Sequence, residues 1–409
     1  AYDFCCVSRT TMNMPHRLSR EWVDDGMPTG RCMVRVLVVG GGLAGLSAAL
    51  EATTAGHHVV ALERSSRIGG RATSQPLDGF AIGYGPHLLL KNGPLHSIAK
   101  RLSRVRLAVS PLRPHRTEIL GHGMIRPTGN LHQASLNKRA LKANDTDHPI
   151  VQGANLLANW GANNTARMQA LNKSQLLVSN EGWAGLIGRM AAALDEVGVF
   201  IECGLEVTQI EQGTVHLSNG RTIETDVIVL ACGAKTARRL LSGIDSTATE
   251  QHFSRLKRIT ASTIEVALDA KPFGDRHALV DVERQMSILD YIGIQPKLGP
   301  NGSHLAAIAI GGLAHDAGTT RFDSAEQRLG ALEAFLDERA LGWRNHIVQD
   351  GRQANITVHD AGAFKINPLA FKDHGVVLAG AWVESEHELA DGAVSSGRKA
   401  GRLISKITG

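Results

Sequence analysis

Residues 34–50 read VRVLVVGGGLAGLSAAL, and this stretch decides the fold. Its first six residues are short, β-branched and wholly apolar apart from Arg35, the signature of a strand buried on both faces of a parallel sheet. Leu43, Leu46, Ala49 and Leu50 then recur at helical spacing, and Gly56 closes the helix. A second strand, HVVAL, follows at 58–62. Between first strand and helix stands Gly40-Gly41-Gly42-Leu43-Ala44-Gly45, a G-x-G-x-x-G turn. Gly40 permits the tight turn, Gly42 lets a pyrophosphate approach the backbone, and Gly45 lets the helix pack against the strand. The helix start at Leu43 and Ala44 offers free N–H groups and a partial positive charge to phosphates. Glu63 ends the second strand, where a carboxylate can accept both ribose hydroxyls and repel a 2′-phosphate.

The turn alone serves either of two dinucleotides. The next segment separates them. Glu63 is followed by RSSRIGGRA (64–72), with Arg64 beside the ribose-binding acid and Gly69-Gly70-Arg71 beyond it. This resembles the large flavoprotein superfamily of amine oxidases, protoporphyrinogen oxidase and phytoene desaturases, in which the arginine lies near the pyrophosphate and flavin. The stretch LDGFAIGYGPHLLLKNGPL (77–95) is similar to the phytoene dehydrogenase-related branch. The resemblance implies FAD as cofactor and places Gly85, Pro86 and His87 beside the flavin ring.

A third match lies at 378–401, LAGAWVESEHELADGAVSSGRKAG. Gly380 and Ala381 allow close approach to the cofactor, and the helix start at Asp391, Gly392 and Ala393 points its dipole at the flavin. Gly397 and Gly401, four residues apart, predict close packing of that helix on the first one. EGWAGLIGRM (181–190), LEVTQIE (205–211) and DVIVLACGA (226–234) resemble the family more softly, and Val207 is assigned to the adenine end on that basis. His87, Trp382, Glu384, Glu386 and His387 fall near the ring. His87, Trp382 and Glu386 are the candidates for a direct chemical role, although Glu386 and His387 read equally well as solvated loop residues. Cys232 reads as an inert buried thiol.

The expected architecture is α/β: a Rossmann-like FAD/NAD(P)-binding domain with an inserted α+β substrate domain. Residues 33–90, 180–240 and 356–409 are expected to build the FAD-binding domain, and 91–179 and 241–355 the substrate domain. Residues 1–32 are polar and aperiodic and read as an extension outside the fold. Further strands are expected at 199–202, 206–211, 226–231, 260–268, 304–310 and 375–380. Asn219-Gly220 reads as a hairpin turn, and helices are expected at 183–197, 325–338 and from about 391 to 404. The polar stretch Thr128–His148 reads as loop.

Composition sets outer bounds. The chain has 409 residues and a net charge of +5, with only 4% aromatics. Nine of the basic residues fall in 101–142 against one acid, Glu118. That stretch fits either a solvated surface or peripheral docking on anionic membrane. It carries no interleaved aromatics, which argues against nucleic acid. The five cysteines show neither a disulfide framework nor zinc spacing, fit a cytoplasmic setting, and nothing marks a metal site. The expected function is an FAD-dependent oxidoreductase acting on C–C bonds of a small apolar, isoprenoid-like substrate. Alternatives are a flavin amine oxidase, a non-redox isomerase and a non-catalytic flavoprotein.

Overall fold

The computed structural model describes residues 33–77, 79–126, 130–159, 165–313, 322–361 and 365–407. Residues 1–32, and the expectation about them, lie outside the described residues.

Five strands form one all-parallel sheet, in the spatial order Phe200–Cys203, His58–Glu63, Arg35–Val39, Val227–Leu230, Val376–Leu378. Its central strand aligns Val38 with Ala61 on one side and Val229 on the other. Alternation of side chains explains the apolar runs. Val36 and Val38 pack toward Leu46, Ala49, Val394 and Ala400. Leu37 and Val39 pack the opposite way, with Ile228, Val207, Phe253 and Trp382. Each such fully buried side chain contributes about 1.5–3 kcal/mol, which ties the sheet to helices on both faces.

The first helix (Leu43–Thr54) and the terminal helix (Leu389–Leu403) lie against each other on one face. A Cβ on Gly397 would stand 2.1 Å from the Ala44 carbonyl oxygen, and one on Gly401 2.8 Å from that of Ala48. The helix backbones are thus in contact where the four-residue glycine spacing predicts. Glu51 of the first helix binds Arg398 at 2.9 Å and Arg402 at 2.6 Å.

A second, seven-stranded sheet runs in the order Ile347–Ala361, Lys257–Leu268, Ser303–Leu313, Met286–Asp290, Ala278–Asp281, Thr117–Ile119, Gly123–Met124. One face packs on helix Ala325–Arg339 through Leu332, Phe335 and Leu336. The other meets Pro149–Asn159 through Ile150, Val151 and Leu157. The strand Ile347–Ala361 crosses residue 356, so this sheet extends past the boundary expected there. Its length follows from continuous pairing with Lys257–Leu268.

One expectation is overturned. The stretch read as loop contains a helix, Leu131–Ala143. The Asn130 side chain caps it by accepting from the Gln133 N–H, and Asn144 ends it with a left-handed φ of 56°. Only Asn137, Ala140 and Leu141 are buried, while Leu131 and Leu136 face outward, so no apolar stripe announces it. Cys232 is a free cysteine among the described residues. Among those residues no helix is long and apolar enough to cross a membrane, and no cluster of three or more His, Cys, Asp or Glu is placed to hold a metal.

Candidate active site

A cavity of about 660 Å³ runs from the ends of the parallel sheet to the seven-stranded sheet. Its first end is built by the glycine turn. Gly40 adopts φ 115°, and a Cβ there would meet the Ala231 carbonyl oxygen at 2.9 Å. A Cβ on Gly45 would stand 1.8 Å from the Gly40 oxygen, so strand and helix touch at that point. Gly42 precedes the first helix with no side-chain cap, and the first intrahelical bond is Leu46 N–H to Gly42 O at 2.9 Å. The N–H groups of Leu43 and Ala44 therefore precede the ladder, and both residues line the cavity. Over Gly42 itself an added Cβ would find nothing nearer than 3.9 Å. This is an open, uncapped helix start, shaped for an anion.

The second glycine motif lies directly on the first. Gly69 N–H donates to Gly41 O at 2.8 Å, and Gly42 and Gly69 form a parallel bridge. Glu63, buried at the strand end, accepts Gly41 N–H at 2.8 Å through Oε2 and Ser65 N–H at 2.9 Å through Oε1. Each carboxylate oxygen keeps a second lone pair for a hydroxyl. Glu63, Arg64 and Val207 line the same end. So do Gly233 and the first residues of helix Ala234–Ser242, which sequence reasoning missed.

Further along, Gly70, Arg71, Pro86, His87, Gly380, Ala381 and Ala393 line the cavity, joined by Ala390 and Leu389 from the terminal helix. Four sequence-assigned residues do not line it. Gly45 is consumed in the strand–helix contact. Gly85 sits behind His87, at φ 102°, with Thr263 filling the space a Cβ would need. Asp391 turns away and accepts Leu95 N–H at 3.0 Å. Gly392 packs on the His387 carbonyl. Arg71 reaches across to the other sheet, its Nη1 donating to Val358 O at 2.9 Å and Thr357 O at 3.3 Å.

The three candidates for a chemical role are placed differently. Trp382 lines the cavity, but its ring is buried against Phe253, centroids 5.3 Å apart, and its Nε1–H donates to Cys232 O at 3.1 Å. Its polar atom is already used. Glu386 is exposed, and neither it nor Glu384 or His387 is among the lining residues. His87 remains at the wall, its ring 4.8 Å from that of Trp183. Cys232 also lines the cavity, where burial pushes its thiol up to about 12 and keeps it protonated.

A buried polar cluster holds His87 in place. His87 Nδ1–H donates to Gly85 O at 2.6 Å, and His87 N–H donates to the Tyr291 hydroxyl at 2.7 Å. Tyr291 in turn donates to Gly85 O at 3.1 Å, and Gly85 N–H donates to Glu265 Oε2 at 2.9 Å. Glu265 Oε1 lies 2.9 Å from His304 Nε2. Burial lowers the His87 pKa despite the opposing Glu265 charge, and the positive charge of Arg71 works in the same direction as burial. The ring is a neutral imidazole, pinned through Nδ1. Burial, aided by the Glu265 charge, raises Tyr291 well above its ordinary value, so its hydroxyl keeps its proton. Glu265, Tyr291 and His304 were not found from sequence. The one available signal was Glu265 itself, a lone acid inside the apolar strand run at 260–268.

The parallel sheet, its uncapped helix start and the paired glycine turns define a Rossmann-type FAD-binding oxidoreductase. Family models agree. The model "FAD dependent oxidoreductase" matches residues 35–255, and "Flavin containing amine oxidoreductase" matches 151–405. The chain belongs to this flavin-containing amine oxidoreductase superfamily of FAD-dependent enzymes, whose cofactor is FAD. Among curated relatives, a 4,4′-diapolycopene oxygenase from Methylomonas sp is 44% identical over 55 residues, 13% of this chain and 11% of that protein. An L-amino-acid oxidase from Pseudechis australis is 50% identical over 54 residues, 13% of this chain and 10% of that one. These matches span about a tenth of each relative's length. Among solved structures, an oxidoreductase from Methanosarcina mazei superposes with a TM-score of 0.67 at 18% identity, covering 89% of this chain and 99% of that one. That likeness concerns the fold.

Proposed function

We propose that this oxidoreductase acts on a carbon–carbon bond of an apolar, isoprenoid-like substrate. The observation that carries the reading is the far end of the cavity. Leu157, Ile308, Ile356, Val358 and Leu389 line it with the Trp183 ring, and no carboxylate is among the lining residues there. Among the described lining residues, a substrate ammonium would find the guanidiniums of Arg71 and Arg258 and no carboxylate at this end, which disfavours an amine.

The residues present fit FAD. The open helix start at Gly42–Ala44 suits the pyrophosphate, Glu63 a ribose, and Val207 the adenine side. Gly70, Pro86, His87, Gly380, Ala381 and Ala393 would flank the ring. When bound, FAD supplies the acceptor for the two electrons leaving the substrate carbon. The chain's own part is to orient and to exclude water. Apolar walls hold the substrate without hydrogen-bond competition. Neutral His87 faces the cavity without adding charge, and Tyr291 and Glu265 fix the turn that carries it. The uncapped start of the terminal helix directs a partial positive charge toward the cavity.

Anaerobic mixing of the FAD-loaded protein with a linear polyene in micelles, and separately with cyclohexylamine, tests this. Bleaching of the flavin's visible absorbance by the polyene alone supports the reading, and bleaching by the amine alone overturns it. Peripheral docking at an anionic bilayer fits the same substrate. Helix Leu131–Ala143 exposes Leu131 and Leu136 beside Lys138, Arg139 and Lys142. Charge reversal of those three cations is expected to abolish cosedimentation with phosphatidylserine vesicles. Unchanged cosedimentation refutes docking through this helix.

A further inference from the structure

A second, smaller cavity of about 40 Å³ adjoins the first. The two share Thr73, His87 and Trp183 as common walls. The rings of His87 and Trp183 stand in the partition, 4.8 Å apart. Where the far end of the larger cavity is apolar, the smaller one is polar. Glu265, Tyr291 and His304 line it, together with Ser74 and Ser179. Ser74 Oγ is buried with no hydrogen-bond partner among the described residues, an uncommon state for a hydroxyl and one that water relieves. The volume holds roughly three waters, at about 10–15 Å³ each, and the lining gives them polar partners. The cavity also reaches toward solvent, because Ser74, Ala81, Gly83 and Leu298 on its lining are only half-buried. A Cβ on Gly83 would stand 3.3 Å from Glu265 Oε2, so the carboxylate lies close behind that rim.

His87 is placed to pass a proton across the partition. Its Nδ1–H is committed to Gly85 O, which leaves the lone pair on Nε2. Burial and the Arg71 charge oppose an imidazolium, whereas the Glu265 charge and the Gly85 and Arg71 carbonyls favour one. The ring is neutral at rest, with a counter-charge already in position when it gains a proton. Glu265 is itself held by Gly85 N–H and His304 Nε2, the partners a buried carboxylate needs.

We infer that the second cavity is a water-filled proton channel: His87 Nε2 takes a proton from the flavin-facing cavity and passes it, through waters held by Glu265, Tyr291 and Ser74, to solvent at the Ser74–Gly83 rim. Glu265 and His304 are positioning residues, acting through His87. The source of the proton rests on the carbon–carbon reading above. Making a C=C bond takes hydrogen from two adjacent carbons. One hydrogen leaves with its electron pair, which FAD accepts. The other leaves as a proton to Nε2, and the electron pair of its C–H bond becomes the new π bond. Loss of hydride makes the neighbouring C–H acidic, so a weak base such as a buried neutral imidazole suffices.

The test needs no substrate. Photoreduction of the FAD-loaded protein by a soluble deazaflavin supplies electrons, and the reduced flavin draws its proton from solvent. Flavin bleaching and proton uptake are recorded together, the latter with a pH-indicator dye. In the parent, uptake should keep pace with bleaching. Ala81→Leu fills the channel and Glu265→Gln removes its charge. Each should slow uptake about a hundredfold, the lower end of what a positioned acid–base group contributes, and Ala81→Leu should do so with FAD content at parent level. Uptake at the parent rate in either variant overturns the channel. If neither variant folds, a crystal structure of the parent decides: ordered waters linking Nε2 to the rim support the channel, and a dry cavity overturns it. Either failure leaves the carbon–carbon reading intact, whereas bleaching by cyclohexylamine alone overturns that reading and leaves the channel standing.

Discussion

Replacing Gly397 by alanine tests the packing that joins the two ends of the nucleotide-binding layer. The new Cβ would stand 2.1 Å from the Ala44 oxygen, 2.9 Å from its carbonyl carbon and 3.0 Å from its Cα. All three are backbone atoms, so no side chain can swing aside. Relief needs the terminal helix to move off the first helix by roughly 1 Å, which is overpacking at the upper end of its usual cost of about 1–3 kcal/mol. Alanine's better helix propensity returns about 1 kcal/mol. The net expectation is a loss of about 2 kcal/mol. Gly330 provides the control. It lies exposed inside helix Ala325–Arg339 with nothing within 4 Å of an added Cβ. There the same substitution is expected to stabilise by about 0.5–1 kcal/mol. Ala44 and Ala393 also line the cavity, so Gly397→Ala should weaken FAD binding and Gly330→Ala should not. Urea unfolding of both variants, with FAD titrations followed by fluorescence quenching, reads both quantities. A Gly397→Ala protein as stable as its parent, with unchanged FAD affinity, refutes the helix contact.

Three other outcomes follow from the site. Glu63→Ala strips the Gly41 and Ser65 N–H groups of their acceptor, so FAD affinity should fall at least about tenfold, with a stability loss of about 1–3 kcal/mol; a variant that retains FAD through gel filtration contradicts the role given to Glu63. Tyr291→Phe leaves the Gly85 carbonyl and the His87 N–H each without this partner, and should lower the melting temperature and shift the bound-flavin spectrum. An unshifted spectrum would mean that the His87 turn does not depend on the hydroxyl. His277 sets a pH dependence. Burial, followed by the charges of Arg116 and Arg113, lowers its pKa to about 4, and its Nδ1 accepts Arg113 N–H at 3.2 Å. Its folded pKa lies below its unfolded one. Between about pH 6.5 and 4 the unfolded chain therefore binds more protons, and stability falls as pH is lowered through that window. His277→Gln should flatten that part of the melting-temperature profile, and an unaltered slope places the titration elsewhere.

The nucleotide end of this site was legible because its physics is local. A glycine turn, a strand before it and a helix after it are contiguous in sequence, and Glu63 follows at a fixed spacing. The cluster behind His87 was not legible, because Glu265, Tyr291 and His304 come from three strands or strand ends and meet only through sheet register. Arg258 was hidden for the same reason. Helix Leu131–Ala143 was missed because its stability comes from caps and good helix formers such as Ala134, Leu136 and Lys138 rather than an apolar stripe. Asp391 shows the converse error. The helix expected from about Asp391 begins at Leu389, and the Asp391 side chain serves a neighbouring helix rather than the cavity.

The parallel sheet takes its outermost strand from residues 376–378, and the first helix is covered by residues 389–403. During synthesis the glycine turn therefore emerges more than 300 residues before the segments that complete its surroundings. Pairing across such sequence distances is slow, and exposed strand edges in the waiting intermediate invite aggregation. The cavity-lining residues Gly380, Ala381 and Ala393 come from those last segments, so the complete cavity forms only once they have joined the sheet and the first helix, and a ligand that binds the folded state then stabilises it by mass action.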